Sequence, residues 1–124
     1  MPRLLAIEDD ESLRIFLKEL LERKGYEIDL AEDGRRALDH LEENRYDLVV
    51  VDLLMPVMSG FEVLDALGKR PERIPTLITS GIIVPGVHDF LKTHPEMKLL
   101  SKPYTPEQLL SAIKELLHRP LGNK

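Results

Sequence analysis

Cysteine is absent from the 124 residues. That excludes disulfides and thiolate metal centres, and it fits a reducing cytoplasm. The four histidines, His40, His88, His94 and His118, show no metal-ligand spacing and read as surface or packing residues. No apolar run approaches the roughly 20 residues of a membrane helix. The opening Met1-Pro2-Arg3 leads only into Leu4-Leu5-Ala6-Ile7, too short for the apolar core of a signal peptide. A basic excess is missing too. The 17 Lys and Arg are outnumbered by 22 Asp and Glu, a net charge of −5, which argues against direct nucleic-acid binding by this domain. No internal repeat and no low-complexity segment is visible.

What is present suits one soluble domain. With 43% hydrophobic and 31% charged residues, there is apolar material for a single core. Five aliphatic runs recur, each followed by a helix-like segment. Leu4 to Ile7 is the first strand. Leu13, Phe16, Leu17, Leu20 and Leu21 then recur at helical spacing, up to Lys24 and a stop at Gly25. Residues 26–30 alternate like an edge strand with one polar face. Asp33 is a candidate N-cap for a helix carrying Ala37, Leu38 and Leu41. Leu48-Val49-Val50-Val51 is an unbroken apolar run, as expected of a strand covered on both faces, and Asp52 ends it. Ser59-Gly60-Phe61-Glu62 has the capping-box pattern and predicts a short helix with Val63, Leu64 and Leu67 inward. Residues 74–79 form the fourth strand, followed by a poorly patterned helix over about 87–92. Lys98-Leu99-Leu100-Ser101 is the fifth strand. Thr105-Pro106-Glu107-Gln108 starts the last helix, whose stripe is Leu109, Leu110, Ile113, Leu116 and Leu117.

The pattern predicts an α/β fold, (βα)5 in one domain, with a parallel sheet between two helix layers. Right-handed crossovers then place every strand's carboxyl end on one rim, the edge where open α/β sheets bind ligands. Glu8-Asp9-Asp10, Asp52, Thr79-Ser80 and Lys102 each follow a strand. Crowded carboxylates repel unless a cation relieves them. An all-oxygen set favours a hard divalent ion such as Mg²⁺. A lysine and a hydroxyl could hold phosphoryl oxygens, and an ionised Asp can be a nucleophile. Taken singly, each feature has a bland reading. The acidic run is a dipole-favoured helix start, Asp52 a turn residue or cap, and Lys102-Pro103 a strand exit. Only their joint placement points to phosphoryl chemistry.

The chain resembles the receiver domain of two-component response regulators, the family of the chemotaxis response regulator. The resemblance is carried by Ile7-Glu8-Asp9-Asp10, the segment from Asp52 to Gly60 (Asp-x-x-Met-Pro-x-Met-x-Gly), Thr79-Ser80-Gly81 and Lys102-Pro103. It runs from about Leu4 to Leu117. It implies a doubly wound, flavodoxin-like five-stranded sheet in the order 2-1-3-4-5, in three layers. It implies one receiver domain over residues 1–124, with a core at about 4–118 and a frayed tail at 119–124. Asp52 would be the phosphoacceptor. Asp9, Asp52 and the backbone carbonyl of Leu54 would bind Mg²⁺, with Glu8 acting through water; Asp9-Asp10 is the other register of the acid pair. Lys102 and Ser80 would hold the phosphoryl group, with Thr79 as the alternative hydroxyl and Gly81 leaving room.

The implied function is Mg²⁺-dependent phosphoryl transfer from a phosphohistidine to Asp52, switching partner binding. Such a domain takes part in its own phosphorylation and dephosphorylation but is no turnover enzyme. The donor would be a sensor histidine kinase or a histidine phosphotransfer protein. The output would be a downstream protein target or a fused domain, in the cytoplasm, without membrane attachment; a homodimer is compatible. Some positions depart from the family pattern. Leu99 stands where many receivers have Tyr or Phe, so the aromatic half of the switch is missing. Residues 94–97 replace the usual Gly-Ala run, and Pro85-Gly86 sits near the start of the fourth helix. These departures motivate an alternative, a phosphorylation-independent interaction module. A phosphatase using an aspartyl intermediate is disfavoured because Leu54 stands where such enzymes want a second acid.

Overall fold

The computed structural model describes residues 1–53, 60–82 and 84–119. Ten elements alternate strictly: β1 (Arg3–Ile7), α1 (Glu11–Arg23), β2 (Glu27–Ala31), α2 (Gly34–Glu43), β3 (Leu48–Asp52), α3 (Gly60–Gly68), β4 (Thr76–Ser80), α4 (Val87–Lys92), β5 (Met97–Ser101) and α5 (Pro106–His118). The five strands form one sheet in the order β2-β1-β3-β4-β5, all neighbours parallel. This is the predicted doubly wound fold. The expected Leu54 carbonyl, the turn through Pro56, the Ser59 half of the capping box and the tail at 120–124 lie outside the described residues.

Side-chain alternation along the strands builds two cores. Leu4, Ala6, Leu48, Val50 and Leu77 face α1 and α5, where they meet Leu17, Leu21, Leu109, Ile113 and Leu116. Leu5, Ile7, Val49, Val51 and Ile78 face the other way, onto Ala37, Leu41, Val63, Leu64 and Leu67 of α2 and α3. Each fully buried aliphatic side chain contributes about 1.5–3 kcal/mol. All five residues of β3 are buried, which is why its sequence shows a run and not an alternation. Asp52 therefore stands at the end of a fully buried central strand.

Local caps form where the sequence places them. Asp33 accepts from the Arg36 amide at 2.9 Å. Thr105 accepts from the Gln108 amide at 3.0 Å while Gln108 accepts from the Thr105 amide at 2.8 Å, closing both halves of the box with Pro106 behind it. Other expectations shift. Phe16 is 37% exposed, because it lies on the flank of the α1 stripe and only Leu17 and Leu21 are buried. β4 starts at Thr76, not residue 74, and runs on to Ser80; the Pro75 carbonyl still accepts from Val49, but proline has no N–H with which to extend the ladder. β5 begins one residue earlier than expected, at Met97. Arg119, expected in the frayed tail, caps α5 and donates to the Pro95 carbonyl at 2.9 Å.

The polar face of edge strand β2 is only partly open to water: Glu27 is exposed and Asp29 is half-buried. Asp29 accepts from Tyr46 Oη at 2.6 Å and from Arg3 Nη2 at 2.9 Å. Burial opposes the Asp29 charge, but these two donors outweigh it and hold the carboxyl below its ordinary value. A depressed folded-state pKa adds stability above the unfolded value, near 4, and loses it as pH falls through the folded value. Tyr46→Phe is therefore expected to cost about 1–2 kcal/mol in urea denaturation at pH 7. The difference from wild type should shrink below about pH 4. A cost independent of pH would count against the pairing.

Candidate functional site

Parallel strands bring the sequence-distant residues to one rim. Glu8 and Asp9 leave β1, Asp52 ends β3, Ser80 ends β4, and Lys102 follows β5. Register ties them: Ile7 lies beside Val51, Asp52 beside Thr79, and Ser80 beside Ser101. Glu8, Asp9 and Asp52 each offer a carboxylate oxygen, all within 4.8 Å of one another. Glu8 and Asp52 are buried, at 3% and 5% exposure, whereas Asp9 is exposed. Lys102 Nζ lies 3.0 Å from Glu8 Oε1 and 3.5 Å from Asp52 Oδ2.

The acidic run of residues 8–11 divides in two. Asp10 is the N-cap of α1, accepting from the Leu13 amide at 3.2 Å, and Glu11 sits in the first turn. The helix-start reading thus holds for these two residues. Glu8 and Asp9 point toward Asp52 instead. Of the two registers for the acid pair, the structure groups Glu8 and Asp9 with Asp52.

The electrostatics follow from this crowding. Burial pushes the Glu8 carboxyl up to about 7, against the hydrogen bond from Lys102 and with the Asp52 charge adding to the rise. Burial works against the Lys102 ammonium as well, but Glu8 and then Asp52 reverse that, so its pKa is raised. Two buried carboxylates therefore share one ammonium, and an exposed third stands beside them. Oxygen donors at this spacing fit a small hard divalent cation, which would relieve their repulsion.

The two candidate hydroxyls are placed differently. Thr79 Oγ1 is buried and lies 3.5 Å from the Val51 carbonyl. Ser80 Oγ donates to the Ile82 carbonyl at 3.0 Å and accepts from the Ile82 amide at 3.2 Å, so it closes the turn leaving β4. The Ser80 carbonyl also accepts from the Lys102 amide at 2.8 Å. A Cβ at Gly81 would meet only Lys102 Cβ, at 3.9 Å, which is ordinary contact. Leu99 is half-buried against the α2–α3 core. It fills the position of the absent aromatic as a packing residue.

Two residues near the rim escaped sequence reasoning. Tyr104 is half-buried, and burial, then the Glu8 and Asp52 charges, push its hydroxyl up to about 12. Its signal was adjacency, two residues after Lys102. Arg14 Nη1 donates to the carbonyls of Glu8 and Asp9 at 2.9 and 3.0 Å; those partners are main-chain atoms, which leave no trace in a sequence. Gly60 also gains a reason for being glycine. A Cβ there would strike the Asp52 carbonyl oxygen and lie 2.5 Å from Leu53 Cα.

Known proteins share this fold. The family profile described as the response regulator receiver domain matches residues 4–114. The response regulator MprA of Mycolicibacterium vanbaalenii is 32% identical over 94% of this chain, matched over 51% of its own length. The chain thus spans about half the length of such relatives. Among solved structures, chemotaxis protein CheY4 of Vibrio cholerae superposes with a TM-score of 0.83 at 32% identity, covering 94% of this chain and 98% of that one. Response regulator protein TrrA of Thermotoga maritima, solved in complex with Mg²⁺-BeF, gives a TM-score of 0.81 at 31% identity over 94% and 99% of the two chains. Profile, relatives and fold agree, and the chain belongs to the response regulator receiver domain family.

Proposed function

We propose that residues 1–124 form one receiver domain that accepts a phosphoryl group on Asp52. The observation that carries this reading is the cluster of Glu8, Asp9 and Asp52 oxygens within 4.8 Å, with Lys102 reaching two of them. Asp9 and Asp52, with Glu8 through water and the Leu54 carbonyl, would hold Mg²⁺. Such an ion neutralises charge on the phosphoryl oxygens. The 31% identical relative TrrA has been solved with Mg²⁺ and BeF, which supports the choice of metal.

In the proposed reaction an Asp52 carboxylate oxygen attacks the phosphorus of a phosphohistidine. The P–N bond breaks, and its electron pair stays on the imidazole, which takes a proton. Lys102 donates to the new phosphoryl oxygens and loosens its hold on Glu8. Ser80 is favoured over Thr79 as the responding hydroxyl, because its proton is lent to a turn carbonyl and not to the neighbouring strand. Donating it to the phosphoryl group would release the Ile82 carbonyl and bias the segment between β4 and α4. The phosphodonor would be a sensor histidine kinase or phosphotransfer protein, and the output a protein target or a fused domain. Leu99 implies that the signal leaves without an aromatic swing.

Mg²⁺-dependent labelling by a small phosphodonor such as acetyl phosphate tests the reading. Wild type is expected to gain one phosphoryl group, seen by intact mass, and Asp52→Asn none. Equal labelling of both, or mapping of the group to another acid, would overturn it.

A further inference from the structure

We infer that Arg14 is a positioning residue for the metal-binding acids, a role that rests on the Mg²⁺ reading above. One residue of α1 answers three successive carbonyls. The Arg14 amide donates to the Asp10 carbonyl at 2.9 Å. One guanidinium nitrogen, Nη1, donates to the Glu8 carbonyl at 2.9 Å and the Asp9 carbonyl at 3.0 Å. That nitrogen carries two N–H groups, enough for one charge-assisted bond to each acceptor.

The location explains why such a clamp is needed. The chain is leaving β1 here: the Glu8 amide still pairs with the Ala31 carbonyl at 3.0 Å, and α1 begins at Glu11. Over these residues neither strand nor helix alone fixes the backbone. Yet Glu8 must turn inward to Lys102 while Asp9, the next residue, stays exposed and still brings an oxygen within 4.8 Å of Asp52. Pinning both carbonyls sets the two peptide planes, and with them the directions in which the two carboxylates leave the chain. Groups that orient metal ligands are commonly worth about 10–100-fold in affinity.

An opposing effect has to be weighed. Arg14 is a cation close to a cation site, and its removal alone would strengthen Mg²⁺ binding. The guanidinium is only partly buried, so solvent screens it, and at ordinary side-chain separations its repulsion is worth roughly threefold in affinity. The loss of positioning is larger and decides the sign.

The test is a MgCl₂ titration of the full chain by isothermal titration calorimetry, with amide NMR shifts of Asp9 and Asp10 as a second readout. Arg14→Met keeps the aliphatic stem and the helix while removing both donors. It is expected to weaken Mg²⁺ about tenfold and to move both amides before any metal is added. Arg14→Gln, which loses the charge and cannot span both carbonyls, is expected to show a similar loss and covers the case in which the first variant folds poorly. Arg14→Lys, whose ammonium can donate to both carbonyls, is expected to recover part of the affinity. A purely structural role for Arg14 would lower stability without this graded recovery. Wild-type binding with unchanged or tighter binding by Arg14→Met and Arg14→Gln overturns the inference and leaves the metal reading intact. Absence of Mg²⁺ binding by wild type overturns both.

Discussion

Gly60→Ala is expected to destabilise the domain by about 2–4 kcal/mol, near the upper end for an overpacked position. Alanine normally improves a helix by about 1 kcal/mol over glycine, so the sign here is set by contact and not by propensity. Gly60 opens α3 and is buried, and its amide donates to the Leu53 carbonyl at 3.0 Å. An added Cβ would strike the Asp52 carbonyl oxygen and lie 2.5 Å from Leu53 Cα. Both obstacles are backbone at the end of the central strand, so nothing can rotate away. Gly68→Ala provides the contrast, since its Cβ would meet the Nε2 of the His94 ring at 2.9 Å, a side chain that can yield. Urea denaturation compares the two. A Gly60→Ala loss below about 0.5 kcal/mol, or one no larger than that of Gly68→Ala, would refute the close-approach argument. The same variant should slow labelling of Asp52, because relief of the clash displaces the residue that carries the carboxylate.

The second large effect is expected from Lys102→Met, and it depends on pH. Lys102 is the ammonium shared by Glu8 and Asp52 at 3.0 and 3.5 Å. In wild type the folded-state carboxyl of Glu8 is raised from 4.5 to about 7. A raised pKa favours the protonated form in the folded state. The stability it confers is therefore complete below about 4.5 and is lost as pH rises through 7. Without Lys102 the folded-state value moves higher still, and the loss continues beyond pH 7. The variant should lie within about 1 kcal/mol of wild type at pH 5.5, where Glu8 is protonated in both. It should fall about 2–3 kcal/mol short at pH 8.5, less than the 3–5 kcal/mol typical of a broken buried pair, because Glu8 can escape by keeping its proton. Added MgCl₂ should narrow the gap at high pH by supplying another cation. Thermal melts at the two pH values decide it, and a gap of constant size would show that Glu8 is not the group responsible.

The parts of the molecule legible in the sequence are those with local causes. Leu48 to Asp52 announces a covered strand because apolar residues occupy both its faces. Thr105 to Gln108 announces a helix start because the cap closes within four residues. The rim was legible once strand order was, since parallel strands put residues after each carboxyl end together. Side chains serving two roles were harder. Asp10 is as good a cap as a metal ligand, and only the Leu13 amide decides it. Phe16 falls within the helical period, but periodicity does not say how wide a stripe the sheet covers. Ser80 and Thr79 differ by which neighbour takes the proton, a distinction of one residue in strand parity. Arg14 acts through carbonyls, and Gly60 through an approach of two backbones far apart in the chain.

The Glu8–Lys102 pair joins residues 94 apart, so during synthesis the acids emerge long before their ammonium. A nascent chain carrying Glu8, Asp9 and Asp52 presents a like-charged rim with no lysine to close it. The sheet edge that would seat the lysine also waits for β5 to pair with β4. Completion of the last strand and neutralisation of the rim are thus one event. The acids of the rim therefore go without their ammonium until the whole sheet is assembled.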